Sequence, residues 1–296
     1  MARSGTIASR VEDLLGVAVV ATAPVAGGDI CVATRVRLSD GRGALVKTRA
    51  QAPTGFFAAE AAGLRWLAAA TPAGGVHVPE LLAIADDCLV LGWVEPGRPN
   101  ADSVEAFARR LAATHQSGAP AFGADHDGFI GLLPLPNSTL DNWAEFWATR
   151  RVLPYLRAAR DRGAISTPAA TAVEQVATLA GDLAGPPEPP QRIHGDLWSG
   201  NVVWSNGGVG YVVDPAAHGG HRETDLAMLT LFGAPHLARL LAAYDEAYPL
   251  APGWRERVPL HQLHPLLVHA VLFGGSYGER AGTAARAALA GTGQPA

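Results

Sequence analysis

The sequence predicts an α+β protein of two lobes: a small antiparallel β-sheet lobe with one key helix, then a larger, mainly helical lobe. Three observations carry this. Residues 23–47 alternate short apolar runs with glycine turns, as antiparallel strands do. Beyond Arg98 the composition shifts to helices rich in Ala and Leu. Between these regions, a buried strand ending in Gly92-Trp93-Val94 meets Pro96-Gly97, the punctuation expected where a chain crosses between lobes. The boundary is placed near residues 93–100, giving lobes of 1–94 and 95–296.

At 296 residues, 48% hydrophobic and 17% charged, the chain has material for about two cores. A net charge of -4 gives no electrostatic reason to expect a nucleic-acid partner or a polybasic membrane contact. Cys31 and Cys88 are the only cysteines and form no CxxC, so neither a disulfide framework nor a cysteine-rich zinc site is supported, and a reducing cytoplasm fits. Glu12 and Asp13 interrupt what a signal peptide would need as an apolar stretch, and no apolar run approaches the roughly 18 residues of a membrane span.

Taken in order, residues 1–20 read as a helix capped by Ser4 or Thr6. Strands then flank a Gly27-Gly28 turn and an Asp40-Gly41-Arg42-Gly43 turn, the third strand being Ala44 to Lys47. Glycines at the first turn let backbone N–H groups approach phosphates closely. The absence of GxxxxGK[ST] argues against a P-loop. Thr54 is expected to cap a helix through Phe56, Phe57, Glu60, Leu64 and Leu67. Glu60 falls on its inward face and needs a cation, for which Lys47 is the candidate. A helix follows over 104–116, with His115 as a cap favoured by the helix dipole. Residues 122–142 read as a long loop, 142–160 and 168–184 as helices, and 185–190 as a stiff Pro-rich connector.

The connector delivers Ile193-His194-Gly195-Asp196-Leu197-Trp198-Ser199-Gly200-Asn201. A carboxylate five positions before an amide, ahead of an apolar run, suits phosphoryl transfer: Asp196 can accept the proton of an attacking hydroxyl and Asn201 can hold a Mg²⁺ on nucleotide phosphates. Val202 to Trp204 and Val209 to Val213 read as a hairpin around Asn206-Gly207, which returns Asp214 to the same metal site. Ten residues separate Asp214 from Asp225, too few for a long phosphorylatable segment, and Gly195 stands where a phosphate-answering basic residue would be. A small-molecule acceptor is the better inference. Asp225 reads either as an N-cap or as a brace beneath the Asp196 loop. His218 and His221 read as loop histidines, and His261, His264 and His269 as packing or surface residues without the HExxH glutamate. The residues after Gly282 read as a helix fraying into a tail.

His194-Gly195-Asp196-Leu197-Trp198-Ser199-Gly200-Asn201 with Asp214-Pro215-Ala216 resembles the fructosamine kinase (ketosamine-3-kinase) family, within the wider aminoglycoside phosphotransferase-like group. The match extends to Asp125-His126-Asp127, Ile130-Gly131, Pro136-Asn137, Trp143-Ala144-Glu145-Phe146 and Leu266 to Ala270 with Leu272-Phe273-Gly274. Gly92 departs from the acidic hinge residue common in the family, and Asp29 and Cys31 from its small residues. The resemblance implies a bilobal protein-kinase-like fold and ATP- and Mg²⁺-dependent phosphorylation of the sugar 3-hydroxyl of ketoamines. On it, Asp196 is the catalytic base and Asn201 and Asp214 are metal ligands. Lys47, Glu60, Gly27, Gly28, Gly92, Trp93 and Val94 contact the nucleotide, and Trp198 packs on the sugar. The acceptor is a small ketoamine or a glycated lysine, and the expected state is a monomer or weak dimer. Alternatives are an aminoglycoside- or choline-type kinase, or a nucleotide-binding scaffold. Cys31, in the presumed phosphate loop, is a candidate redox-sensitive thiol.

Overall fold

The structure is a computed structural model and describes residues 6–26 and 30–291. Thr6 caps α1 (Ile7–Leu15) by accepting from the Ser9 N–H, and Gly16, at φ +66°, ends it. The helix expected over 1–20 is therefore short, and Val19 already pairs with Leu38. An antiparallel sheet follows in the order β1-β2-β3-β5-β4, comprising β1 (Val19–Val25), β2 (Val32–Leu38), β3 (Gly43–Thr48), β4 (Leu81–Ala85) and β5 (Cys88–Gly92).

Strand alternation divides this sheet into two faces. Val36, Leu38, Ala44, Val46, Cys88 and Val90 pack with Val11 of α1, whereas Leu89 and Leu91 turn to the other face and meet Phe57, Ala61 and Leu64 of α2 (Phe56–Ala68). Lys47, two positions from Leu45 on β3, shares the face of α2. Thr54 does not cap that helix. Its N-cap is Gly55 at φ +80°, a conformation glycine adopts without penalty, and no side chain bonds the first turn.

The helical part begins with α3 (Ala101–Gln116), where Asn100 and Ser103 form a reciprocal capping box. The expected loop 122–142 contains a hairpin, β6 (Gly128–Ile130) and β7 (Leu133–Leu135). The helix expected over 142–160 is three pieces: α4 (Trp143–Phe146), a π-helical turn (Trp147–Val152) and α5 (Leu153–Asp161). Pro154 has no N–H to return to Arg150, so the helical ladder re-registers just ahead of it. The next expected helix breaks at Leu179 into α6 (Thr167–Thr178) and α7 (Ala180–Leu183).

Short strands then build the centre: β8 (Gln191–Ile193), β9 (Val202–Trp204), β10 (Gly210–Val212) and β11 (His218–Gly220). In the β9–β10 turn the positive φ falls on Gly208, not on Asn206-Gly207. The chain closes with α8 (Glu223–Phe232), α9 (Leu237–Ala247), α10 (Trp254–Phe273) and α11 (Tyr277–Ala290), which remains regular past Gly282. Among the described residues no helix is long and apolar enough to cross a membrane.

Three fastenings fix the sheet lobe against the helical one. The Gly97 N–H donates to Trp204 O at 2.7 Å and Asn206 N–H to Glu95 O at 2.9 Å, so the crossing chain is pinned to the β9–β10 turn. Leu67 and Val76 enter the helical core with Phe107, Leu111 and Leu197. Phe129 of β6 packs on Phe56 of α2, ring centres 5.4 Å apart.

Candidate active site

The loop carrying Asp196 is held from beneath by a buried carboxylate. Asp225, in the first turn of α8, accepts from the His194 N–H at 2.7 Å and the Gly195 N–H at 2.9 Å. Of the two readings of Asp225, the brace is the observed one. His115 Nε2–H donates to Asp225 at 3.2 Å, and His115 Nδ1 accepts from Tyr244 OH at 2.7 Å. His115 is therefore a buried support and not a helix-end cap. Burial raises the Asp225 carboxyl, but His115 and the backbone donors outweigh it and hold the group below its usual range. The His194 Nε2–H donates to Val213 O at 2.9 Å, leaving Nδ1 to accept from the Asp196 N–H at 3.3 Å. Gly195 sits at φ +81°, and a Cβ there would lie 2.2 Å from Ala216 O. Only glycine lets the loop pass so close to the segment after Asp214.

Asn201 Nδ2 donates to Asp196 O at 2.8 Å and to Asp196 Oδ2 at 3.1 Å. Both partners are acceptors, which fixes the amide orientation and leaves Asn201 Oδ1 free to serve a cation. Val213 N–H donates to Asn201 O at 3.0 Å, so the hairpin sets Asp214 beside Asn201 as its pattern predicts. Asp214 adopts φ +54° and keeps 46% of its side chain exposed to the cleft. Burial first, and the charge of Asp214 second, push Asp196 up to about 7. Asn201 Oδ1 and the Asp214 carboxylate are hard oxygen donors, a set that fits Mg²⁺.

Lys47 Nζ reaches Glu60 Oε1 at 2.6 Å and also contacts Asp214. The expected strand-to-helix ion pair is present and extends to the Asp214 carboxylate. Burial works against the Lys47 ammonium, but the two carboxylates prevail and raise its pKa. Lys47 in turn draws the Asp214 carboxyl below its usual range, against burial, while burial raises the enclosed Glu60. The cluster is thus a cation shared by two acids. Gly63 lets α2 approach this point, since a Cβ there would lie 3.1 Å from Pro215 Cγ.

These groups open into one cleft of about 1220 Å³. Ala33, Leu45, Leu91, Val203 and Val213 give it an apolar slot, and the rings of Trp198, Phe232, His269, Phe273 and Tyr277, in contact one with the next, give it an aromatic wall. Leu91 lines the cleft but Gly92, Trp93 and Val94 do not. The Gly92 and Trp93 N–H groups are engaged by Glu80 O and Gly43 O, and the Trp93 indole donates to Glu95. Gly27 and Gly28 lie outside the described residues. Burial raises the Cys31 thiol, which opposes the thiolate a redox-sensitive site needs.

The loop histidines proved to be buried. His218 lies in β11, where Nδ1–H donates to Ala216 O at 2.8 Å and Nε2 faces Arg151 Nε at 3.4 Å. His221, Glu223 and His261 place three ligand-type atoms within 4.8 Å of one another. Spacing alone did not reveal this convergence. Both Glu223 oxygens are occupied by Arg257, at 2.6 and 2.9 Å, and Arg222 pairs with neighbouring Glu188 at 2.6 Å. A divalent ion would add charge that these balanced pairs do not offset, so the cluster is an ion-pair network. His261 and His264 are packing residues, whereas His269 lines the cleft.

The family model described as fructosamine kinase matches residues 4–290. The chain belongs to the fructosamine kinase family. A curated relative from Enterococcus faecium, named "probable ketoamine kinase", is 34% identical over 265 residues, 87% of this chain and 91% of its own. A crystal structure of a "putative fructosamine-3-kinase" from Thermobifida fusca superposes with a TM-score of 0.91 at 48% identity, covering 96% of this chain and 99% of that one. Choline kinase LicA from Streptococcus pneumoniae, at 16% identity, shares the fold alone, with a TM-score of 0.61 over 96% of this chain and 98% of that one. This fructosamine kinase family member therefore has the protein-kinase-like fold, with an antiparallel sheet in its N-terminal region and a helical C-terminal part. It is a phosphotransferase acting on an alcohol group.

Proposed function

We propose that this family member uses ATP to phosphorylate the sugar 3-hydroxyl of ketoamines, the adducts of sugars with amines. The observation that carries the reading is the convergence of Lys47, Glu60, Asp196, Asn201 and Asp214 on one cleft that also has an aromatic wall. The apolar slot takes the adenine against Ala33, Leu45 and Leu91, just before the Gly92-Trp93-Val94 segment. Gly27 and Gly28 cover the phosphates. Lys47, set by Glu60, offsets phosphate charge. Asn201 and Asp214 hold Mg²⁺, which would neutralise charge on the transferred phosphoryl group. Asp196 orients the attacking hydroxyl and takes its proton, and its raised pKa suits a base working near neutrality. Trp198 packs on the apolar face of the sugar. These roles need positioning and charge more than covalent chemistry.

On this reading residues 1–94 form the nucleotide lobe and 95–296 the acceptor lobe of a cytoplasmic enzyme acting as a monomer or weak dimer. The test is ADP release against a panel of ketoamines, aminoglycosides and choline, with the phosphorylated carbon identified in the product. Release with a ketoamine and phosphate on C3 supports the reading. Phosphate on another carbon, or turnover confined to the other acceptors, overturns it.

A further inference from the structure

The wall beyond Asp196 is a chain of rings. Trp198 meets Phe232 edge-on at 6.1 Å between ring centres, Phe232 meets His269 at 4.8 Å, and His269 meets Phe273 at 5.4 Å and Tyr277 at 5.0 Å. Two of these rings remain open, Trp198 at 38% and Phe273 at 52% exposure. Phe273 ends α10 at the cleft rim, an apolar ring left in water beside a catalytic loop. Arg280 already lies over Tyr277, at 5.2 Å, so the open faces are those nearer Asp196 and Phe273.

The polar content of the cleft points the same way. His269 Nδ1–H donates to Pro265 O at 2.8 Å, which leaves Nε2 as a lone-pair acceptor among the rings. Glu60, Asp125, Asp196 and Asp214 line the cleft against Lys47 and Arg65, and Lys47 is already shared by two of these acids. Ring faces, an imidazole lone pair and an acidic excess together favour a cation.

We propose that the wall running outward from Trp198, which packs on the sugar, through Phe232 and His269 to Phe273 binds the amine half of the acceptor, and that the preferred acceptors are ketoamines whose protonated secondary amine carries an aromatic substituent. This rests on the ketoamine reading above. In a ketoamine only a carbonyl carbon and a methylene separate the nitrogen from C3. With the C3 hydroxyl at Asp196, the ammonium falls beside Trp198, two residues further along the loop, and its substituent projects toward His269 and Phe273. An aromatic group there makes ring-to-ring contacts that a methyl group cannot.

The experiment compares kcat/KM for two ketoamines of one sugar, a 1-benzylamino and a 1-methylamino ketose, in the wild type, in Phe273→Ala and in the conservative Phe273→Tyr. The wild type is expected to favour the benzyl compound by about tenfold, the scale of one well-filled apolar subsite. Phe273→Ala should lose most of that ratio through KM, with kcat much less affected, and Phe273→Tyr should restore it. Phe273 is exposed, so its truncation spares the core. Equal kcat/KM for both compounds in the wild type, or an unchanged ratio in Phe273→Ala, overturns this inference while leaving the ketoamine reading standing. A cyclohexylmethylamino ketose that matches the benzyl one overturns the aromatic preference. ADP release with other acceptors but with neither ketoamine overturns the ketoamine reading, and this inference with it.

Discussion

Asp196 carries the sharpest consequence for a single side chain. Its carboxylate is oriented by Asn201 and, on the proposed reading, takes the hydroxyl proton, so Asp196→Asn would keep the shape and remove the base. Turnover should fall by ~10²–10⁴-fold with an unaltered thermal transition, as ADP release and circular dichroism would show. Near-normal turnover would remove Asp196 from the chemistry. Lys47→Met deletes the shared cation and leaves Glu60 and Asp214 facing each other. A loss of about 10²–10³-fold in kcat/KM for ATP is expected, the scale of one preorganised charge partner. The ion pair was legible because an acid on the inward face of a helix demands a cation and the nearest strand ended in one. His115 was misread because its partners, Tyr244 and Asp225, lie more than a hundred residues away in the chain. Periodicity shows which face a residue takes but not what waits there.

At the scale of elements, the Asp196 loop is a turn kept in place by α8. Asp225→Ala would orphan two buried N–H groups and the His115 donor. The cost should be about 2–5 kcal/mol in a urea titration, together with reduced turnover although Asp225 touches no reactant. Normal stability in that variant would show that the loop holds itself. The helix after Asn100 and the strands on either side of the 40–43 turn were legible, since apolar spacing repeats over several turns or alternates cleanly between faces. β6 and β7 were not, because strands of three residues show too little alternation to stand out from a loop. The interruption of the 142–160 helix had a visible cause in Pro154, but a proline near a helix start is also tolerated, and only packing decides between the two.

For the whole molecule, the packing of the helical part buries ionisable groups, and this sets how the fold responds to acid. His218, His221 and His264 are buried and neutral, each with its pKa lowered first by desolvation, His264 to about 3. In the unfolded chain these imidazoles regain their usual value of 6.5, so between that pH and their folded values the unfolded state binds more protons. Stability should therefore begin to fall as pH drops through 6.5. A second loss follows at lower pH. Burial raises Glu223, but His261 and Arg257 outweigh it and take the carboxyl from 4.5 to about 2. The stability this pair contributes is complete above 4.5 and disappears as pH falls from there toward 2. Urea midpoints measured from pH 7.5 down to 3 should thus decline in two stages, the first well above the carboxylate range. His264→Phe, which keeps an aromatic ring against Tyr155 but gives up the Nδ1 bond to Arg151 O, should shrink the first stage, leaving the part due to His218 and His221, and leave the second unchanged. A midpoint that holds constant from 6.5 to 5 would mean that these histidines do not stay neutral in the folded protein. The core joining α5 and α10 would then have to be packed around charged imidazoles.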